Sequence, residues 1–294
     1  MLNLTRLSSS CPAASSTPGL TRRFLASHPH HTATNGATAS FKHVGIPHAT
    51  IPKTGVAVSR IGFGGYRINN STAEHKLALL EAVKSGVNVI DTSAHFENGA
   101  SEELIGEALK DLFVNNFIKR EQLVLISKAG YLQRSDTKDF VASDYVQIND
   151  KHFHSLSPAV LDAHITRSLR RMGIDQLDVF MLNSPERMLL AKNKPFTKSD
   201  VYASISLAIR HLDTEVAQGR IGGYGICSNS MSNPLAPDHI SLATILDDLG
   251  HGRADNFVAV QAPFNLFERG VVGGDVYEDG VAAAGDPLAK IAAV

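Results

Sequence analysis

Short apolar runs alternate along the chain with longer segments in which apolar residues recur every three to four positions. From about residue 44 this pattern predicts six strands, at 59–65, 87–91, 123–128, 177–182, 221–227 and 257–263. Between them it predicts helices at 73–85, 101–113, 158–173, 200–218 and 237–249. Strands that alternate with amphipathic helices in this way indicate parallel βα units.

Two architectures are built from repeated βα units, the (β/α)₈ barrel and the open doubly wound sheet. A dinucleotide-binding doubly wound sheet predicts a G-x-G-x-x-G motif after its first strand, and the stretch GFGGYR at 62–67 does not supply it. Polar residues stand instead at the carboxyl ends of five successive predicted strands: Asp91, Lys128, Asn183, the pair Ser228 and Asn229, and Gln261. Because the carboxyl ends of barrel strands converge on one mouth, where active sites lie, the sequence predicts a barrel.

The composition narrows the class of partner. The chain has 294 residues, and its 28 Lys and Arg balance 29 Asp and Glu, so it carries no basic field for a nucleic acid. No run approaches the roughly 18 apolar residues of a membrane helix, so we expect no membrane partner. The two cysteines, Cys11 and Cys227, are too few and too far apart for a disulfide framework or a cysteine metal site, and we predict no metal.

The first 43 residues differ from the rest. No Asp or Glu occurs between Met1 and Ala73, while Arg6, Arg22 and Arg23 stand among many Ser, Thr and Ala residues. This composition is typical of an organellar transit peptide, and a plain disordered tail is the alternative. The Arg pair before FLAS at 24–27 favours mitochondria over plastids or the cytoplasm. We therefore predict a disordered leader at 1–43 and a barrel domain at 44–294.

Several segments resemble, in the correct order, those of the aldo-keto reductase family. They are GVNVIDTSAHFENGASEELIGEAL, LVLISK, SLRRMGIDQLDVFMLNSPE, GRIGGYGICSNS and VQAPFNL, and they extend over roughly residues 44–266. The resemblance implies a (β/α)₈ TIM barrel of the aldo-keto reductase type. It also implies hydride transfer from NADPH to a small carbonyl or sugar-like substrate.

In that family a Tyr protonates the developing alkoxide, a Lys paired with an Asp tunes the Tyr, and a His orients the carbonyl. The resemblance assigns the ion pair to Asp91 and Lys128 and places Tyr66 at the mouth as an aromatic wall. It assigns the nicotinamide contacts to Ser228, Asn229 and Gln261.

Two positions depart from the family pattern. Phe96 stands at the Tyr position and Asn183 at the His position. A Phe has no proton to give, so His95 could replace the acid, Asn183 could support slow reduction by a hydrogen bond, or ordinary reductase activity could be lost.

Only 33 residues follow Gln261, which leaves room for a helix start near Pro287 but not for two further βα units. We therefore expect an incomplete barrel of about six units: either the chain is a truncated gene model or splice form, or a protein partner or oligomer closes the gap. Two functions stay open: an NADPH-dependent reductase, or a non-catalytic barrel that serves as a regulatory or assembly subunit. Binding of NADPH discriminates between them.

Overall fold

The computed structural model describes residues 33–41, 45–51, 54–253, 255–268 and 270. Most of the predicted leader and the predicted helix start near Pro287 lie outside this range. No helix within the range is both long enough and apolar enough to cross a membrane.

Five of the six predicted strands are present, and the structure adds others. In chain order the strands are β1 His48–Thr50, β2 Ala57–Ser59, β3 Phe63–Gly64, β4 Val89–Asp91, β5 Val124–Ala129, β6 Tyr131–Gln133, β7 Val146–Gln147, β8 His152–His154, β9 Val179–Asn183, β10 Tyr224–Cys227 and β11 Phe257–Gln261. The single strand expected at 59–65 is wrong, because a bend at 60–62 divides it. Its first part, β2, pairs antiparallel with β1, and only β3 enters the main sheet.

The helices are α1 Asn35–Ser40, α2 Ala73–Lys84, α3 Ala100–Val114, α4 Pro158–Met172, α5 Lys198–Ala217 and α6 Leu242–Arg253. The prediction at 158–173 is confirmed: the Ser157 side chain accepts a hydrogen bond from the Val160 amide, and Gly173 closes the helix at φ 64°. The start expected at 237 is wrong, because the Ser230 hydroxyl donates to the Asp238 carbonyl at 2.8 Å and holds the chain in a turn before α6.

Six strands form one parallel sheet in the order β3-β4-β5-β9-β10-β11. The order follows the chain without reversal, as in a barrel wall, whereas a doubly wound sheet reverses at its switch point. The Gln261 amide at the end of β11 donates to the Asp91 carboxylate at the end of β4 at 3.2 Å. The wall therefore curls enough to bring the side chains of these two strands into contact. Within the described residues β3 and β11 remain the sheet edges, so the predicted six-unit, incomplete barrel is confirmed.

The pleat of each strand separates two apolar layers. In β5, Val124 and Ile126 pack inside the wall, and Leu125 and Ala129 pack against the surrounding helices. The hairpin β1–β2 lies against the inner layer through Val56 and Val58. Because side chains alternate with period two, the next inward position on β5 is Lys128, at the carboxyl end.

A segment assigned to the leader belongs to the fold. Thr34 accepts a hydrogen bond from Ala37 and begins α1, and the Ala33 amide donates to the Asp178 carboxylate at 2.6 Å. Phe41 is 5% exposed in the main core. Residues 33–41 therefore pack on the barrel, and acid-poor composition alone placed the domain boundary too late.

A second, three-stranded antiparallel sheet lies between β5 and α4, and no pattern in the sequence predicted it. Its order is β6-β8-β7, and its strands have only two or three residues each. Strands this short carry too few positions for an alternating pattern to register. This small sheet stands beside the barrel mouth and changes the shape of the site.

Candidate active site

The strand pleat directs a set of polar side chains into the barrel mouth. Asp91, Lys128, Asn183 and Gln261 each fall two residues after an inward-facing apolar position on β4, β5, β9 and β11. The same alternation that builds the inner core therefore ends in polar groups at the carboxyl edge.

A buried ion pair lies at the centre of this edge. The Lys128 ammonium contacts one Asp91 carboxylate oxygen and donates to the Thr92 carbonyl at 2.9 Å. Gln261 binds the other carboxylate oxygen. Lys128 is only 2% exposed, so its charge depends on these partners in place of water.

Phe96 lies against the ion pair. It begins a 3-10 helix, Phe96–Gly99, and its ring centroid is 5.3 Å from the Lys128 ammonium. The largely exposed Tyr66 meets the Phe96 ring edge-to-face at 5.2 Å. The position beside the Lys thus holds an aromatic ring in place, but the ring offers no proton.

Asn183 is buried at the end of β9, and its backbone carbonyl accepts a hydrogen bond from His154 Nε2 at 2.8 Å. This close approach requires Gly130, because a β-carbon there would stand 2.3 Å from the Asn183 carbonyl oxygen. Burial lowers the pKa of His154 from 6.5 to about 4, so its imidazole is neutral and donates through Nε2. His154 positions Asn183.

His95 faces the mouth from the other side. Its ring stacks on Tyr131 of β6, with centroids 4.8 Å apart. Burial, reinforced by the neighbouring His152 and opposed by Asp136, lowers the pKa of His95. A neutral imidazole is a poor proton donor, which weakens the idea that His95 replaces the missing acid.

Tyr131 is the residue that the sequence reasoning missed. Its side chain lines the mouth and stacks on His95, yet it comes from the small inserted sheet. The signal in the sequence that could have identified Tyr131 is its position three residues after Lys128, the polar residue at the end of a predicted strand. Cys227 also lines the mouth, but burial raises the pKa of its thiol to about 12 and keeps it protonated.

The residues assigned to the nicotinamide fit that group unequally. Gln261 Oε1 is buried and has no hydrogen-bond partner among the described residues, so it is free to accept from a carboxamide. Asn229 is exposed at the mouth, and its backbone amide is held by Glu186 at 3.1 Å. The Ser228 hydroxyl instead accepts from the amides of Ser230 and Met231 at 3.3 and 3.2 Å and stabilises the turn.

All nine residues singled out from the sequence line one cavity of about 600 Å³ at the carboxyl edge. They are Tyr66, Asp91, His95, Phe96, Lys128, Asn183, Ser228, Asn229 and Gln261. A volume of this size holds a small ligand.

A parallel barrel wall whose mouth combines a buried Lys–Asp pair with amide groups places this chain among the (β/α) barrel proteins. Residues 60–274 match the model of the aldo/keto reductase family, and the chain belongs to that family. It is 31% identical over 225 residues to an NADH-specific methylglyoxal reductase of Escherichia coli, a match that covers 74% of this chain and 58% of the relative. It is 23% identical over 259 residues to a D-threo-aldose 1-dehydrogenase of a Pseudomonas species, over 79% of this chain and 70% of the relative.

Solved structures agree on the fold. An aldo-keto reductase from Bacillus halodurans superposes with a TM-score of 0.52 at 20% identity, over 74% of this chain and 58% of that one. The chain thus spans little more than half the length of several proteins that it matches.

Proposed function

We propose that the protein binds a reduced nicotinamide cofactor at the barrel mouth and reduces small carbonyl compounds slowly. The observation that carries this proposal is the buried Lys128–Asp91 pair, which shares a cavity with a Gln261 carbonyl oxygen that lacks a hydrogen-bond partner within the described ranges. When bound, the cofactor supplies the hydride.

The chain's own residues supply charge and orientation. Lys128 holds a positive charge at the mouth, where a carbonyl oxygen becomes negative during reduction, and Asp91 fixes its position. Asn183 can donate a neutral hydrogen bond to the same oxygen. Gln261 and Asn229 would hold the nicotinamide amide.

The proton donor decides the rate. Phe96 cannot serve, and the lowered pKa of His95 makes its protonated form scarce at neutral pH. Two phenols remain in the cavity, Tyr66 and Tyr131, but Phe96 occupies the position beside Lys128. Slow turnover is therefore expected, with Tyr66 or Tyr131 as the donor.

The identity of the cofactor remains part of the proposal. The resemblance favours NADPH, whereas the relative from Escherichia coli is named as NADH-specific. Both cofactors should be titrated, with nicotinamide fluorescence as the readout, into the wild type, Gln261→Leu and the exposed control Gln218→Leu. The proposal expects binding that Gln261→Leu weakens and Gln218→Leu does not; binding that ignores both changes would refute the assigned pocket.

A second function is a barrel without catalysis that acts as a regulatory or assembly subunit. Phe96 favours it, because this side chain has no proton to donate. Cofactor binding with methylglyoxal turnover supports the reductase. Cofactor binding without turnover of any small aldehyde, even in single-turnover experiments, favours the subunit.

A further inference from the structure

A second cavity of about 480 Å³ opens between the inserted sheet and α4. It shares only His95 and Tyr131 with the mouth, so the stacked pair forms the wall between the two cavities. The function proposed for the mouth uses none of the other residues that line this second cavity.

His164 on α4 lines the second cavity and is 5% exposed. Both of its ring nitrogens are buried and lack a hydrogen-bond partner in the described part of the chain. Burial, followed by the charges of Arg167 and Arg171, lowers the pKa of His164 to about 3, so the ring is neutral and offers one donor and one acceptor. A buried polar group without a hydrogen bond lowers the stability of the folded state. A ligand hydroxyl both donates and accepts, so it can form a hydrogen bond with either ring nitrogen of His164.

Two cations, Arg134 and Lys151, face the same cavity. Arg134 donates to the Asp150 backbone carbonyl at 3.1 and 2.9 Å. In the described ranges neither Arg134 nor Lys151 has a carboxylate oxygen within ion-pair distance, and both line the cavity. Their charges are therefore available to an anion.

The other charges of the cavity are largely matched. Arg171 donates to the buried Glu102 carboxylate at 2.7 Å, and Arg167 donates to Asp139 at 2.9 Å. The carboxylates of Asp136 and Asp150 also line the wall and can accept from hydroxyl groups. The free positive charge is thus confined to one part of the cavity, whereas the rest offers mixed donors and acceptors.

We propose that this cavity binds a small polyhydroxylated carboxylate, with a hydroxyl group at His164 and the carboxylate at Arg134 and Lys151. The carboxylate meets charge that is not already neutralised. The hydroxyl groups meet a neutral imidazole and side-chain oxygens. This site does not depend on the nicotinamide cofactor.

The test is a calorimetric titration of the full chain, at constant ionic strength and without cofactor, with three probes: gluconate, sorbitol and acetate. Gluconate carries both features, sorbitol only the hydroxyl groups and acetate only the charge. We expect gluconate to bind at least about tenfold more tightly than either of the others, as the loss of one charged hydrogen bond implies. Absence of gluconate binding overturns the proposal, and so does equal binding of sorbitol or acetate.

Variants locate the site. His164→Leu and Arg134→Gln should each weaken gluconate binding about tenfold. The control variant Arg170→Gln removes one positive charge from an exposed position on α4 and should leave gluconate binding unchanged. His164→Leu removes buried groups without partners, so its thermal midpoint should stay equal or rise, which excludes misfolding as the cause. Wild-type binding by both variants would overturn the assignment. Gln261→Leu should leave gluconate binding unchanged, so failure here is distinguishable from failure of the proposed reductase.

Discussion

Replacing Phe96 by Tyr should restore the missing proton donor. The Phe96 ring is already fixed by its edge contact with Tyr66 and lies 5.3 Å from the Lys128 ammonium. The substitution adds one oxygen atom to a ring that borders an open cavity, so no backbone change is needed. A cation at this distance also lowers the pKa of a phenol and makes it a better acid.

The size of the gain follows from general acid catalysis. A positioned acid contributes about 10²–10⁴ in rate, which corresponds to about 3–5 kcal/mol of activation free energy. Phe96→Tyr should therefore raise single-turnover reduction of an aldehyde by about two orders of magnitude or more. Adding Asn183→His should raise the rate above either single change, because a second donor then reaches the carbonyl.

The assay follows oxidation of the cofactor at saturating concentration, so that weak binding does not hide the chemical step. Phe113→Tyr, a change of the same type on the partly buried face of α3, serves as the control. Lys128→Met added to Phe96→Tyr should remove most of the gain. If the wild type already reduces aldehydes as fast as Phe96→Tyr, the idea of a lost acid is wrong, and Tyr66, Tyr131 and His95 become the residues to replace.

Four shorter predictions concern stability, pH, cofactor choice and targeting. Lys128→Met leaves Asp91 buried without its cation and should lower the free energy of unfolding by about 3–5 kcal/mol in urea titrations, whereas the exposed Lys84→Met should change it by less than about 0.5 kcal/mol. His154 has a pKa of about 4 when folded and 6.5 when unfolded, so the unfolded chain takes up the proton first. The contribution of His154 to stability is full above pH 6.5 and falls by up to about 3 kcal/mol towards pH 4, and a His154→Gln variant should show a flatter curve than the wild type. Binding of NADPH should be weak and little favoured over NADH, and tight, phosphate-selective binding in competition titrations would contradict this. A fusion of residues 1–32, the part of the predicted leader before the packed segment, to a fluorescent reporter should enter mitochondria, and a cytosolic reporter would refute the leader.

The sequence predicted the mouth better than its surroundings. Period-two alternation along β4, β5, β9 and β11 determines which strand-end residues face inward, so Asp91, Lys128, Asn183 and Gln261 could be placed together before any coordinates. The inserted sheet could not be found in the same way, because its strands are too short to show a period. Tyr131 and His164 were missed for this reason, since both matter through packing between the insertion and α4.

The predicted start of α6 and the predicted start of the domain were wrong for a different physical reason. Composition marks the acid-poor start of the chain, but the contacts of residues 33–41 with Asp178 and the core depend on tertiary structure. The start of α6 likewise depends on the Ser230 hydroxyl, seven residues before the predicted start. Local patterns carry no information about such contacts between distant elements.

The retained ion pair bears on which of the two functions is correct. Burying Lys128 and Asp91 costs desolvation free energy, and well-packed apolar residues at such positions are often as stabilising or more so. Stability alone therefore does not explain a cation at 2% exposure beside a Phe that it cannot tune. A positive charge held at the inner wall of a cavity has its largest effect on a ligand that becomes negative there. The pair thus favours a mouth that still stabilises a developing alkoxide over a barrel whose mouth has no chemistry.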